Sequence, residues 1–259
     1  MKIPIFQIDA FAGKLFTGNP AAVCPLDKWL PDDLMQKIAA ENNLAETAFF
    51  VPINDHFEIK WFTPQVEINL CGHATLASGH VLFRHLGYQG DRIKFLSKSG
   101  ELIVTMAQDL IFLNFPADKP GHTTMPPGLV DGLGAKPHEI LKGRDYFAVF
   151  DSENEIIAIK PNFDRLCQIE SHAIIVTAPG QTCDFVSRFF APRLGINEDP
   201  VTGSAHTALI PYWAEKLGKK LMTARQLSKR QGEIFCENLG NRVLIGGYAK
   251  TYMTGEIEL

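Results

Sequence analysis

Hydrophobic and polar positions in the first half of the chain predict short strands and a few helices. Apolar and polar residues alternate over 3–11, which is typical of a strand with one buried face. Residues 31–33 are Pro-Asp-Asp, and apolar residues at helical spacing follow, which predicts a helix ending near Asn43. Further apolar runs predict strands at 21–24, 44–51, 57–62, 93–96, 101–106 and 110–115.

One segment organises this half, Asn-Leu-Cys-Gly-His-Ala-Thr-Leu-Ala-Ser-Gly-His at 69–80. It predicts a strand end, a tight turn at Gly72, and a helix from about His73 to Leu86 that Gly87 ends. The helix is apolar on almost every side, and such a helix belongs in the interior of a domain. The unpaired N–H groups of its first turn are suited to bind an anion.

The pattern of the first half returns in the second half. Gly72 and Gly87 are 15 residues apart, and so are Gly203 and Gly218. Both intervals end in Leu-Gly, and Leu-Ser-Lys follows each of them at the same distance. Residues 116–128, rich in proline and glycine, are typical of a linker between the halves. We therefore expect a domain over 1–116, joined by a last strand at about 248–259, and a second domain over 117–247.

The fold class that follows is α/β (α+β), with two pseudo-symmetric domains. Each domain is expected to be a curved sheet or β-barrel around its apolar helix. The two loop-to-helix turns, at Gly72 and at Gly203-Ser204, are expected to face each other across a cleft. Two helix N-termini aimed at one point would hold a carboxylate.

Composition narrows the class of function. A formal charge of -4 and a pI near 6.1, without a lysine or arginine run, argue against nucleic-acid binding. No apolar run approaches the roughly 20 residues of a membrane span. The five cysteines form no C-x-x-C pair, which favours free thiols in a reducing cytoplasm. Gly246-Gly247 precedes no helix pattern, so no nucleotide cofactor is expected.

Several motifs together carry a family resemblance. They are Asp9-Ala10-Phe11, Gly18-Asn19-Pro20-Ala21-Ala22-Val23, Asn43-Leu44-Ala45-Glu46-Thr47-Ala48-Phe49, Leu70-Cys71-Gly72-His73-Ala74-Thr75 and Asp199-Pro200-Val201-Thr202-Gly203-Ser204-Ala205. The chain resembles the phenazine-biosynthesis PhzF-like family, whose fold is similar to that of diaminopimelate epimerase. The resemblance implies a cofactor-independent isomerase that moves a proton within a small carboxylated metabolite, and it implies a homodimer. It does not imply phenazine synthesis itself.

Three residues are expected to do the chemistry. Glu46 stands alone among apolar neighbours, where an acid is costly and usually has a task. The resemblance places the family's proton-shuttling acid at Glu46, its Gly-His motif at His73, and a substrate-facing acid at Asp199. Substrate binding is expected from Cys71 and from the turn residues, Gly72, Gly203 and Ser204.

The cysteine positions argue against one alternative, an epimerase or racemase that uses two thiols. Epimerases of this fold use two facing thiols, one from each domain, and Cys71 fills the first position. The equivalent position in the second repeat holds Thr202, so the second thiol is missing. His73 and His80 lie seven residues apart without a recognisable third ligand, so no metal site is expected.

The sequence therefore predicts an isomerase in which Glu46 is the general acid and base. The alternatives are an amino-acid or hydroxy-acid epimerase or racemase, and a non-catalytic protein that only binds a small ligand.

Overall fold

The computed structural model describes all residues, 1–259, and the chain forms two compact units. The first unit comprises Met1–Phe115 and Gly246–Leu259, and the second comprises Pro116–Ile245. The chain has a mixed α/β fold with many strands and few helices, so the predicted fold class is confirmed.

The strands are numbered in chain order: β1 (Lys2–Ala10), β2 (Asn19–Pro25), β3 (Glu46–Ile53), β4 (His56–Phe62), β5 (Glu67–Ile68), β6 (Arg92–Ser97), β7 (Gly100–Ala107), β8 (Leu110–Pro116), β9 (Gly121–His122), β10 (Glu139–Lys142), β11 (Tyr146–Val149), β12 (Ile174–Pro179), β13 (Phe185–Phe190), β14 (Leu221–Gln226), β15 (Gly232–Asn238), β16 (Arg242–Gly247) and β17 (Ala249–Glu258). The helices are α1 (Asp32–Asn42), α2 (Gly72–Arg84), α3 (Leu129–Leu133), α4 (Glu153–Ala158), α5 (Phe163–Cys167) and α6 (Gly203–Leu217).

The first unit is a mixed sheet around α2. Strands β2 and β3 are parallel, β3 and β4 antiparallel, β4 and β6 parallel, and β6 and β7 antiparallel. Ten of the 13 residues of α2 are buried. The helix packs against β1, β2, β3, β7 and β17, so the strands surround it. The predicted interior position of this helix is confirmed.

The second unit repeats this order of strand pairs. Strands β11 and β12 are parallel, β12 and β13 antiparallel, β13 and β14 parallel, and β14 and β15 antiparallel. In each unit the apolar helix, α2 or α6, connects the second parallel pair. The duplication seen in the sequence is therefore a duplication of strand topology.

Helix α6 contains a proline in its interior, Pro211. A proline has no N–H, so the carbonyl of Thr207, four residues earlier, loses its partner in the helix. That carbonyl accepts a hydrogen bond from the N–H of Asp118 at 3.0 Å. The helix continues through Pro211 because a segment outside the helix supplies the missing donor.

Most predicted elements are present with ends shifted by one or two residues, and two of these shifts have a visible local cause. Strand β1 ends at Ala10, not at residue 11, because Phe11 takes the left-handed conformation with φ 57°. Helix α2 ends at Arg84, before the predicted Leu86. Its last turn widens, since the Leu86 N–H bonds the Val81 carbonyl at 3.0 Å. Gly87 then follows in the left-handed conformation.

Candidate functional site

The site in the first unit forms where two parallel strands begin. Asn19 is the first residue of β2 and Glu46 is the first residue of β3. Because β2 and β3 are parallel, with Ala21 paired to Glu46, their first residues lie at the same end of the sheet. The first turn of α2 brings His73 to this end. The predicted residues Glu46, Cys71 and His73 therefore come together, with Gly72 beside them as the first residue of α2.

Glu46 and His73 form a buried carboxylate and imidazole pair. The side-chain atoms Glu46 Oε2 and His73 Nε2 lie 3.0 Å apart. Both residues are buried, with 7% and 6% of their surface exposed. Despite the short distance, neither atom has a hydrogen-bond partner, so the pair is close but not aligned. The contact is therefore an ion pair without an aligned hydrogen bond, and both atoms keep bonding capacity for a third group placed beside them.

The other imidazole nitrogen of His73 contacts two neutral side chains. Its Nδ1 lies 3.3 Å from Nδ2 of Asn19, which is fully buried. It also lies 3.5 Å from Sγ of Cys71, which is 5% exposed. These two contacts fix the orientation of the ring, so Nε2 points to Glu46.

Burial and the neighbouring groups shift the pKa values of both His73 and Cys71. Burial works to lower the pKa of His73, but Cys71 and Glu46 beside it outweigh burial, and the pKa lies well above its usual value. Burial raises the pKa of the Cys71 thiol, and the charge of Glu46 adds to the rise. The Glu46 carboxylate, 3.0 Å from Nε2, is one of the groups that favour the imidazolium form of His73.

The start of α2 is not capped by a side chain. Cys71 is the N-cap residue, and its side chain accepts no hydrogen bond from the backbone N–H groups of the first turn. Its carbonyl instead accepts from the N–H of Thr75 at 3.2 Å and from the Thr75 hydroxyl at 2.5 Å. A helix start without a side-chain cap leaves backbone N–H groups available to an anionic ligand.

Glu46, Cys71 and His73 also offer three types of metal ligand, with the ligand atoms within 4.8 Å of one another. However, Cys71 contacts Nδ1 of the imidazole and Glu46 contacts Nε2. These two contacts use different nitrogens of the ring, and an ion would bind only one of them. The absence of a metal site stays a prediction.

Asp199, Gly203 and Ser204 lie at the start of α6 in the second unit. Gly203 and Ser204 are the first two residues of this helix, and Thr202 is its N-cap. The Thr202 hydroxyl donates a hydrogen bond to the carboxylate of Asp199. As in α2, no side chain caps the helix start.

Two buried amide residues, Asn19 and Gln226, contact the predicted site residues but were not predicted from the sequence. Asn19 contacts His73, which is 54 residues further along the chain. Gln226, also fully buried, bonds Thr202 and Asp199. Asn19 stood within a motif of the resemblance, but nothing in the pattern indicated its contact with His73. Gln226 carried no signal at all.

A cavity of about 580 Å³ lies in the second unit, beside the last turns of α6, and contains none of the predicted site residues. Three of the lysines that line it each pair with a carboxylate, Lys216 with Glu139, Lys219 with Asp184 and Lys220 with Glu237. Its charges therefore largely balance. Glu46 and His73, which lie in the first unit, remain the candidate site.

The fold belongs to a class that includes epimerases. A crystal structure of a hydroxyproline epimerase from Agrobacterium vitis aligns with a TM-score of 0.63, covering 100% of this chain and 93% of the other. The two sequences are only 10% identical, so this likeness concerns the fold alone. Among the helices, none combines the length and the apolar character that crossing a bilayer requires.

Matches with higher sequence identity identify the family to which the chain belongs. Residues 8–255 match the family described as phenazine biosynthesis-like protein. An uncharacterised isomerase of Pseudomonas aeruginosa is 49% identical over 259 residues and covers 100% of both chains. A crystal structure of a PhzF-family phenazine biosynthesis protein from Enterococcus faecalis is 46% identical, with a TM-score of 0.98 and 100% of both chains covered. The chain belongs to the phenazine biosynthesis-like (PhzF) family, which confirms the resemblance.

Proposed function

We propose that this protein is a cofactor-independent isomerase that moves a proton within a small carboxylated metabolite, cyclic or unsaturated. One observation carries the proposal, the buried pair of Glu46 Oε2 and His73 Nε2, 3.0 Å apart and without aligned hydrogen bonds. Buried polar atoms are nearly always hydrogen-bonded, so two adjacent atoms without an aligned hydrogen bond favour a site that a ligand completes. The names of the relatives, among them two isomerases of Pseudomonas aeruginosa, support an isomerase-type activity.

In the proposed mechanism the carboxylate of Glu46 takes a proton from a carbon atom of the substrate. The electron pair of the broken C–H bond moves into the conjugated system of the substrate, and the carboxylic acid of Glu46 then protonates a different carbon. No atom is gained or lost. The imidazolium of His73 stabilises the negative charge that develops in between, since a preorganised charged donor acts most strongly in a dry site.

Roles for the remaining predicted residues belong to the same proposal. Backbone N–H groups of the uncapped helix starts, at Gly72 in the first unit and at Gly203 and Ser204 in the second, are suited to bind carboxylate oxygens. Asp199 is proposed to orient a polar group of the substrate. Cys71 is proposed to line the pocket and to orient His73.

The test is solvent proton exchange. The purified protein in deuterated water is offered a panel of small cyclic and unsaturated carboxylic acids, and NMR follows the loss of each C–H signal. We expect one compound to exchange with the wild-type protein. Glu46→Gln is expected to lower its rate at least about 100-fold, the usual contribution of a general acid–base group. Binding should persist, because the amide keeps the shape of the acid.

Glu41→Gln is the matched control, because Glu41 is an exposed glutamate of the same unit, at the end of α1. It should exchange at the wild-type rate. Full activity of Glu46→Gln would disprove the role of Glu46. If compounds bind but none exchanges, the protein is a ligand-binding protein and not an isomerase.

A racemase is the second candidate, and the position of Cys71 beside His73 favours it. The thiol is buried in the site, 3.5 Å from Nδ1. A two-thiol mechanism needs a second cysteine, however, and the start of α6 holds Thr202 as its N-cap. Exchange at a stereocentre that is abolished by Cys71→Ala and unaffected by Glu46→Gln would establish the racemase.

A further inference from the structure

Gln226 is a buried glutamine whose side chain makes three hydrogen bonds to one short segment. It is the last residue of β14 and is fully buried. Its Oε1 accepts from the N–H of Thr202 at 2.9 Å. Its Nε2 donates to the carbonyl of Asp199 at 2.8 Å and to the hydroxyl oxygen of Thr202 at 3.1 Å. The amide therefore holds both ends of the loop from Asp199 to Thr202.

The hydroxyl of Thr202 connects Gln226 to the carboxylate of Asp199. A threonine at a helix N-cap ordinarily accepts a hydrogen bond from the first turn, and this contributes about 1 kcal/mol to helix stability. Thr202 makes no such bond, although it is the N-cap of α6. Its hydroxyl oxygen accepts from Gln226, and its proton goes to Oδ2 of Asp199. The Thr202 side chain therefore does not cap α6 but donates a hydrogen bond to the carboxylate of Asp199.

A second contact holds the same loop. The hydroxyl of Ser228 donates to the carbonyl of Pro200 at 2.7 Å. Ser228 lies two residues beyond Gln226, in the turn that leaves β14. Gln226 at the end of β14 and Ser228 in the turn that follows therefore both bond the loop that carries Asp199.

We propose that Gln226 is a positioning residue that orients the Asp199 carboxylate through Thr202. The donation from Gln226 occupies the hydroxyl oxygen, so the hydroxyl proton is directed to Asp199. Thr202 thus holds one carboxylate oxygen of Asp199, and Gln226 holds the peptide carbonyl of the same residue. This inference rests on the proposed function, in which Asp199 orients a polar group of the substrate.

The experiment compares Thr202→Val, which has nearly the same shape but no hydroxyl, with Thr202→Ser, which keeps it. The side-chain carboxyl carbon of Asp199 is observed by carbon-13 NMR in protein labelled at aspartate. The variant Asp199→Asn identifies which signal belongs to this residue. Thr202→Val and Gln226→Glu should move the Asp199 signal, because a glutamate at 226 cannot donate. Thr202→Ser should leave it in place.

The same variants are then assayed for substrate exchange and for thermal unfolding. Thr202→Val is expected to lower kcat/KM roughly tenfold or more, which corresponds to the loss of one hydrogen bond to a charged group. Thr202→Ser, which keeps the hydroxyl, should retain most of the wild-type kcat/KM. The valine variant also loses both hydrogen bonds of this hydroxyl, so its melting temperature should fall somewhat, and the Asp199 signal is the readout that reports positioning.

An unmoved Asp199 signal in Thr202→Val overturns the inference, whatever the activity. So does equal loss of activity in the valine and serine variants. If the wild-type protein exchanges no substrate, the proposed function fails, and the NMR comparison still decides whether Gln226 and Thr202 hold Asp199.

Discussion

At the scale of single residues, Glu46 has no acidic counterpart in the second unit. In the first unit Thr47 pairs with Phe62, and in the second Ile174 pairs with Phe190. Phe62 and Phe190 are the second residues of two similar segments of the repeat, Trp-Phe-Thr-Pro at 61–64 and Phe-Phe-Ala-Pro at 189–192, so the position of Glu46 corresponds to Ala173. Ala173 is buried and cannot carry a proton. The strand topology is duplicated, but the carboxylate is not.

Single residues also show what sequence patterns can and cannot reveal about a site. Glu46 was predicted because an acid interrupts an apolar run, which is visible over a few residues. Asn19 and Gln226 were not predicted, because their importance lies in contacts with His73 and with Thr202 and Asp199, far away in sequence. A buried amide looks like any other polar residue until its partners are known.

The buried His206 should make the protein sensitive to acid. Burial lowers the pKa of its imidazole to about 4, from the ordinary 6.5. Its Nδ1 bonds the Thr202 carbonyl at 2.8 Å, and its Nε2 has no partner. Between pH 6.5 and 4 the unfolded chain binds a proton that the folded chain excludes. Stability should therefore fall as the pH is lowered through this window, by up to about 3 kcal/mol.

Denaturant unfolding at several pH values measures this effect. His206→Leu is expected to reduce the fall in unfolding free energy between pH 6.5 and 4, while His80, whose pKa burial also lowers to about 4, should maintain part of it. His122→Gln serves as the control, because the side chain of His122 is 81% exposed. An unchanged pH dependence in His206→Leu would show that His206 does not contribute to it.

At the scale of elements, the contact of α2 with β7 depends on a residue without a side chain. A Cβ atom on Gly79 would lie 2.8 Å from Cγ1 of Val104, closer than such atoms approach one another. Val104 is fully buried, so it has little room to move. The apolar character of α2 predicted that the helix is interior, but it did not reveal which strand requires a glycine.

A double-mutant cycle tests this contact. Gly79→Ala is expected to lose about 1–3 kcal/mol of unfolding free energy by overpacking, less the roughly 1 kcal/mol that alanine gains over glycine in a helix. Val104→Ala removes the crowded methyl groups, so the double variant should be more stable than the sum of the single effects predicts. Additive losses would show that Gly79 and Val104 do not press on each other.

Errors at the ends of elements have local causes. Nothing in the alternation over 3–11 distinguishes Phe11 from a strand residue, yet its backbone is left-handed. The apolar pattern of α2 continues to Leu86, but the widened last turn ends the helix two residues earlier. Backbone conformation at such ends is set by tertiary contacts, which periodicity does not report.

At the scale of the whole molecule, the repeated sequence was the most informative signal. Each half supplies parallel and antiparallel strand pairs in the same order, around or beside one apolar helix. The fold class could be predicted because this signal extends over long segments. The site could be predicted only in part, because it depends on a few contacts between distant residues.

The central claim is that one carboxyl group carries the proton from one carbon of the substrate to another. The most direct measurement uses a substrate with deuterium at the carbon that loses its proton, and analyses the first product formed in ordinary water. Glu46 and His73 are buried, so the transferred atom should be partly protected from solvent. We predict that part of the deuterium appears at the new carbon of the product. Complete loss of deuterium from the first product formed would contradict the account.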